Sequence, residues 1–311
     1  MNRSTRVGFA GLFLSLAAVL GGCSSSNSTS DTTAVAAAPQ YPVTVGDVTL
    51  EAQPMRIVSL SPTATETLYA IGAGAQVVAV DEYSNVPQEA VDLGTKLSGY
   101  EPNIEAISGF TPDLVIASYD PGSLVQQLGA LGIPVYLADA VTTIDAAYEQ
   151  IENIGLLTGH AKESTDLTAQ MKAKIEEAVS GVVLPAEPLS YYHELDNTLY
   201  SVTSNTFIGS VYSLFGLRNI ADNAEAGNDY PQLSAEVIVS SDPDLIFLAD
   251  TKCCGETAAT VAARDGWGSL KAVTNGNVIE LDDDIPSRWG PRIVDFVIAI
   301  RDAIAALLVN S

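Results

Sequence analysis

Histidine, cysteine and tryptophan are scarce in this chain of 311 residues: two, three and two copies respectively. With only His160 and His193, too few ligands exist for a histidine-rich zinc or manganese site, and a Ser-His-Asp triad has just two candidate bases. His160 stands beside Gly159 ahead of a long helical pattern, a place for capping or exposure to solvent. His193 alternates with tyrosines in the strand-like "YYHEL", where a partly buried strand residue is the plainer reading. No two cysteines are spaced as CxxC, which excludes zinc ribbons and thioredoxin chemistry. No G-x-S-x-G elbow occurs. The glycines of "IGAGAQ", Gly72 and Gly74, follow a helix and precede a strand, the reverse of a phosphate cradle, so they end the helix. Basic residues are also few, 14 Lys and Arg against 38 Asp and Glu, for a net charge of -24. A surface this acidic repels nucleic acid and anionic headgroups, so no nucleic-acid partner is expected.

What is present begins at the N-terminus. Arg3 and Arg6 precede a nearly unbroken apolar run from Val7 to Leu20, too short for a comfortable membrane span, and Leu20-Gly21-Gly22-Cys23 follows. A small-residue pair before a cysteine looks like a bacterial lipobox, in which Cys23 takes a diacylglycerol and becomes the new N-terminus. Residues 1–22 then form a lipoprotein signal peptide. Residues 23–42, rich in Ser, Thr and Ala, form a flexible tether. The expected location is extracytoplasmic, lipid-anchored to the cell membrane. Loss of Arg3 and Arg6 with the signal peptide takes the formal charge from -24 to -26. Only the adjacent pair Cys253 and Cys254 then remains. In an oxidising compartment the two either close a strained vicinal disulfide or stay reduced in a loop; the disulfide is the expectation, although adjacent residues meet its geometry poorly.

From Arg56 onward short apolar runs alternate with helical stretches. Strands are expected at Arg56 to Leu60, Val77 to Asp81, Asp113 to Ser118 and Pro134 to Ala138, a rhythm that gives a parallel, helix-covered sheet. Residues 143–184 turn helical and read as a rigid connector. The rhythm then restarts, with strands at Leu189 to Leu195, Asp244 to Ala249 and Asn277 to Leu281 and a last helix from Pro291 to Val309. The fold class is α/β: an N-terminal lobe over 43–142 and a C-terminal lobe over 185–311, joined by a single long helix, with a ligand cleft between them. A repeat supports it. "YEPNIEAISGFTPDLVIAS" and "YPQLSAEVIVSSDPDLIFLAD" share Glu-x-Ile and Pro-Asp-Leu, with Glu105 to Pro112 spaced as Glu236 to Pro243.

In open α/β sheets ligands meet the loops at the carboxyl ends of strands. Tyr83, Tyr119, Cys253, Cys254 and the run Asp282 to Arg288 follow such ends, and Tyr100, Tyr200 and Tyr230 add aromatic surface from neighbouring loops. "DDDIPSRWGPR" lacks the alternating carboxylates of a calcium loop, and no sugar-gripping tryptophans accompany it. Pro291 suits the first turn of the last helix. Arg288 then becomes a fixed cationic donor facing the cleft, Asp284 touches ligand, and Asp282 and Asp283 are solvated.

At this point "RIVSLSPTATETLYAIGAG", "PNIEAISGFTPDLVIAS", "YPQLSAEVI" and "SRWGPRI", in this order across both lobes, resemble the helical-backbone class of ABC-importer substrate-binding lipoproteins, the vitamin B12 and ferric siderophore binding family. The resemblance implies capture of a bulky metal chelate (corrinoid, siderophore or haem) and delivery to an ABC permease dimer with its ATPase subunits. It also implies a monomer without catalysis or a cofactor of its own, the metal arriving with the cargo. Glu105 and Glu236 fall where the family docks on permease arginines. The vitamin B12 pocket maps onto Tyr83, Tyr200, Tyr230, Asp284 and Arg288. Where that pocket carries tryptophans, this chain has Tyr100 or Gly99, Tyr119 or Ser118, and Tyr230. The alternative from another class is an exported hydrolase using His193 with a nearby carboxylate.

Overall fold

A computed structural model describes residues 40–310. The expected signal peptide, Cys23 and all but the end of the tether lie outside the described residues. The described chain opens with an antiparallel hairpin, β1 (Val43–Val45) and β2 (Val48–Leu50). The N-terminal lobe follows as β3 (Ile57–Leu60), α1 (Pro62–Ala70), β4 (Val77–Val80), α2 (Gln88–Val91), α3 (Ile104–Gly109), β5 (Leu114–Ala117), α4 (Leu124–Gly129) and β6 (Val135–Leu137). Two helices come next, α5 (Ile144–Thr158) and α6 (Ala161–Ser180). The C-terminal lobe comprises β7 (Ser190–Glu194), α7 (Phe207–Ser213), β8 (Arg218–Asn219), α8 (Ala235–Ser241), β9 (Leu245–Leu248), α9 (Ala258–Ala262), α10 (Lys271–Thr274), β10 (Val278–Glu280) and α11 (Ile293–Asn310).

Each lobe has a four-stranded, wholly parallel sheet, ordered β4-β3-β5-β6 in the first and β8-β7-β9-β10 in the second. Taken in chain order within each lobe, both read second, first, third, fourth, so the duplication seen in the sequence is a duplication of topology. It reaches atomic detail. In each repeat a short helix ends at a positive-φ residue before Pro-Asp, Thr111 at 46° and Asp242 at 45°. The following aspartate then ties the first strand of its sheet: Asp113 Oδ2 accepts from Met55 N and Arg56 N, and Asp244 Oδ2 accepts from Ser190 N and Oγ.

All seven expected strands form, each one or two residues shorter than the apolar pattern that announced it. β8 was not expected, because two residues carry no period. The last helix begins at Ile293, two residues beyond Pro291, which stands in the preceding turn.

Burial on both faces of the strands divides the core into three. Ile57, Leu114, Tyr191 and Phe247 point to a central layer with Leu68, Ile154, Met171, Tyr212, Phe296 and Ile300, so α1, α5, α6, α7 and α11 cover the inner faces of both sheets in one continuous core. Val58, Leu60 and Val115 face α3 and α4 on the outer side of the first lobe, while Tyr192, Ile246 and Leu248 pack with Ile238 and Trp267 on the outer side of the second. The connector is a helix pair broken at Gly159. Its 20-residue member, α6, runs roughly 30 Å at 1.5 Å per residue and carries the chain to the second lobe. The pair packs at glycine distance: a Cβ on Gly155 would stand 2.0 Å from Ser164 Oγ. Among the described residues no helix is long and apolar enough to cross a membrane.

Candidate ligand-binding site

Where the carboxyl ends of the first-lobe strands meet the 284–289 segment of the second lobe lies a cavity of about 430 Å³, within the range typical of small-molecule sites. One wall is a row of tyrosines. Tyr83 follows β4, Tyr119 follows β5, and Tyr100 stands between them with ring centroids 5.7 Å from Tyr83, edge on, and 5.8 Å from Tyr119. All three line the cavity and remain open to solvent, 53%, 65% and 38% exposed. So much bare aromatic surface is an unusual thing to leave uncovered, and a flat apolar ligand face would cover it.

The floor is polar and buried. Asp81, at the end of β4, is 4% exposed. Its Oδ1 accepts from Ser84 Oγ, which in turn bonds Thr65 Oγ1 at 2.8 Å, and Thr65 Oγ1 donates to Ser59 Oγ at 2.9 Å. Burial pushes the Asp81 carboxyl above its usual range, against the Ser84 hydrogen bond and the charge of Arg288. Gly99 closes the floor: a side chain there would meet Leu60 O at 2.7 Å and Asp81 Oδ2 at 3.6 Å.

The opposite wall is where the structure departs most from expectation. Arg288 lines the cavity, yet it is 6% exposed and both terminal nitrogens are occupied. Nη1 donates to Glu66 Oε1 (2.7 Å) and Asn85 Oδ1 (2.9 Å), and Nη2 donates to Asp284 Oδ1 (2.7 Å) and Tyr83 O (3.1 Å). Arg292 grips the same Glu66 carboxylate at 2.6 and 2.9 Å. Glu66, on α1 of the first lobe, is thus held by two arginines of the second, and the cation expected as a free donor is consumed in tying the lobes together. Asp284 lines the cavity beside it and accepts from Asn85 and Lys252. Although burial opposes the shift, Asn85, Arg288 and Lys252 hold its carboxyl below the usual range.

Asp282 and Asp283, expected as solvated, are half-buried and engaged. Asp282 bonds the Lys252 ammonium and the Asp284 N–H. Asp283 accepts from Thr251 Oγ1 and from the N–H groups of Lys252 and Cys253, which pins the loop after β9. In that loop Cys253 and Cys254 are exposed free thiols rather than the expected disulfide, whose geometry adjacent residues meet poorly. Surrounding atoms, Cys254 and the charge of Asp283 push the Cys253 thiol up to about 12 even though its surface is exposed. Tyr200 and Tyr230 stand on neighbouring segments of the second lobe, joined by the Tyr200–Gln232 bridge, 40% and 54% exposed, and neither lines the cavity.

At the strand ends of the second lobe the chain builds an acid knot. Arg264 makes a bidentate pair with fully buried Glu194 at 2.7 and 2.6 Å, reaches Glu256 at 2.8 Å, and lies 4.7 Å from the Trp267 ring. Asp250 is buried beside them with no partner for either oxygen; burial and the charge of Glu194 push its carboxyl up to about 7. His193 points the other way, into the central core. It is wholly buried, bonded to Tyr212 Oη at 2.8 Å with Nε2 unpartnered, and burial lowers its pKa to about 3. A base with no carboxylate partner and no path to solvent cannot serve a hydrolase, and that alternative falls.

Glu105 and Glu236 occupy the same place in the two lobes. Each is the second residue of its helix, α3 or α8, behind an N-cap, Asn103 or Ser234, whose side chain accepts from the third helical N–H at 2.9 or 3.3 Å. Both are exposed. Hydrogen bonds from its own N–H and from Ser234 hold the Glu236 carboxyl below its usual range. Sequence reasoning missed Asp81, Glu66, Asn85 and Lys252. Glu66 had a signal, as the lone acid in the apolar helix "PTATETLYA"; Asp81 had one as an acid ending the apolar strand "VVAVD".

Comparisons with known proteins bear on the family and the fold. The family described as periplasmic binding protein matches residues 57–285. A cobalamin-binding protein of Halobacterium salinarum is 34% identical over 268 residues, 82% of this chain and 72% of its own length. An uncharacterized ABC transporter substrate-binding lipoprotein of Bacillus subtilis, YvrC, is 29% identical over 96% of this chain and 97% of its own. The crystal structure of the periplasmic vitamin B12 binding protein BtuF of Vibrio cholerae superposes with a TM-score of 0.68 at 28% identity, covering 83% of this chain and 98% of that one.

Proposed function

The chain belongs to the periplasmic binding protein family, and from that premise we propose that it is the substrate-binding lipoprotein of an ABC importer. It captures a bulky metal chelate between its lobes and hands it to a permease dimer, with a corrinoid as the cargo. It is anchored through Cys23, tethered by residues 23–42, acts as a monomer and needs no cofactor of its own. The observation that carries this reading is the open row of Tyr83, Tyr100 and Tyr119 along the interlobe cavity, three rings ready to cover the flat face of a macrocycle. The names of the relatives support a corrinoid. Haem usually takes an axial Tyr or His, and of these two types the cavity lining holds only tyrosines.

Glu105 and Glu236 dock on the permease. A two-fold transporter presents matching sockets, and these acids sit at matching helix starts, one per lobe. Binding is tested by titrating the purified chain with cyanocobalamin, a ferric siderophore and haemin while following the fluorescence of Trp289, which lines the cavity; Trp267 is buried in the outer core and serves as an internal reference. Micromolar or tighter saturable binding of one chelate is expected, about 8 kcal/mol. Absence of binding to all three sinks the reading. For docking, the pair Glu105→Lys and Glu236→Lys is expected to abolish uptake in cells with affinity unchanged, and a loss of affinity would remove the docking role.

A further inference from the structure

We infer that Asp81 contacts the ligand and sets its charge preference, so that the cavity takes a chelate whose rim donates hydrogen bonds and rejects one whose rim is anionic. This rests on the chelate-binding reading above and deepens it.

The polar groups around the cavity decide the matter by sign. Its acids are Asp81 on the floor and Asp284 on the wall, and its lone cation is Arg288. That guanidinium has both terminal nitrogens committed to Glu66, Asn85, Asp284 and Tyr83 O, so it has little left for a ligand carboxylate or catecholate. Asp284 has both oxygens engaged, Arg288 on one and Asn85 and Lys252 on the other. Asp81 is different. Ser84 takes Oδ1, no side chain among the described residues donates to Oδ2, and Oδ2 lies toward Gly99 on the cavity floor. The carboxyl is only 4% exposed, so a ligand N–H or O–H that reaches Oδ2 from the cavity replaces water there with a hydrogen bond to a nearly buried acid. Gly99 keeps that oxygen reachable, since a side chain there would clash with Leu60 O.

A ligand edged with neutral primary carboxamides, as a corrinoid is, supplies N–H donors to Asp81. A haem, with two propionates, or a ferric tris-catecholate brings negative charge to an acidic cavity without a free cation, and like charges in a partly desolvated site repel.

Asp81→Asn tests this, because it keeps the shape and an acceptor for Ser84 while turning the cavity-facing oxygen into an N–H donor. The full chain and the variant are titrated with cyanocobalamin, haemin and a ferric tris-catecholate. The parent is expected to bind cyanocobalamin at least about tenfold more tightly than either anionic chelate, and the variant to lose about tenfold for cyanocobalamin while gaining for the anions. Opposite changes for two ligands in one preparation cannot come from misfolding. A variant with all affinities within about twofold of the parent, or a parent that prefers an anionic chelate, overturns the assignment of Asp81 and leaves the receptor intact. A parent that binds none of the three removes the receptor reading as well.

Discussion

The two lobes share a strand order, a helix-Pro-Asp-strand repeat and even the aspartate that ties the first strand, yet their cleft-side ends are built for different work. The first lobe ends in three open tyrosines over the Asp81 carboxyl; the second ends in the Glu194–Arg264–Glu256 knot and the pinned Cys253–Cys254 loop. The shared topology thus carries different loops, one lobe keeping surface for contact and the other pairing Glu194 and Glu256 with Arg264. The lobes meet through Glu66, which sits on the first lobe and is neutralised by two arginines of the second.

Breaking that tie should give the largest effect. Glu66→Ala takes the shared carboxylate from two guanidinium groups, leaving buried Arg288 with Asp284 as its acid, and is expected to cost about 3–5 kcal/mol in thermal unfolding together with loss of ligand affinity. Glu194→Ala, which disrupts an ion pair wholly inside the second lobe, should cost a similar stability with affinity retained. Equal loss of affinity in both variants would erase the distinction between an interlobe tie and a local knot.

The asymmetry of the walls makes a smaller prediction. Tyr100→Ala is expected to weaken binding about tenfold, and Tyr230→Ala by less than about twofold, since ring contacts contribute about 0.5–1.5 kcal/mol beyond area burial. The reverse order in calorimetric titration would move the contact surface to the second lobe.

A further contrast concerns pH. The folded Asp250 carboxyl is pushed up to about 7, above its unfolded value near 4. Its contribution to stability is therefore whole below about pH 4 and is lost as pH rises through about 7. Asp250→Asn should remove that slope, gaining on the parent more near pH 8 than near pH 5 in thermal melts. His193, lowered to about 3, acts in the opposite sense: its contribution is present above about 6.5 and lost as pH falls toward 3. An Asp250→Asn gain that did not change with pH would mean the carboxyl is paired in solution.

Much of the cavity's aromatic wall was legible, because tyrosines after apolar strands point to strand ends, and strand ends of parallel sheets form ligand sites. Tyr100, Tyr200 and Tyr230 were read as aromatic surface on neighbouring loops, and only Tyr100 lines the cavity, since placing a tyrosine in a loop near strand ends does not say where the loop carries it. The fate of Arg288 was not legible at all. Its partner Glu66 lies 222 residues away, and no local pattern says whether an arginine near a cleft is free or spoken for.

The chain's own periodicities determined the two α/β lobes, the helical connector and the paired positions of Glu105 and Glu236, because strand alternation, helix caps and a repeated Pro-Asp-Leu act over a few residues. Only the tertiary structure decided that Cys253 and Cys254 stand as free thiols, that His193 is core, that Arg288 is a tie and that Asp81 lines the cavity. Those outcomes depend on burial and on partners distant in sequence, and the energy of a charge is set by what surrounds it in space.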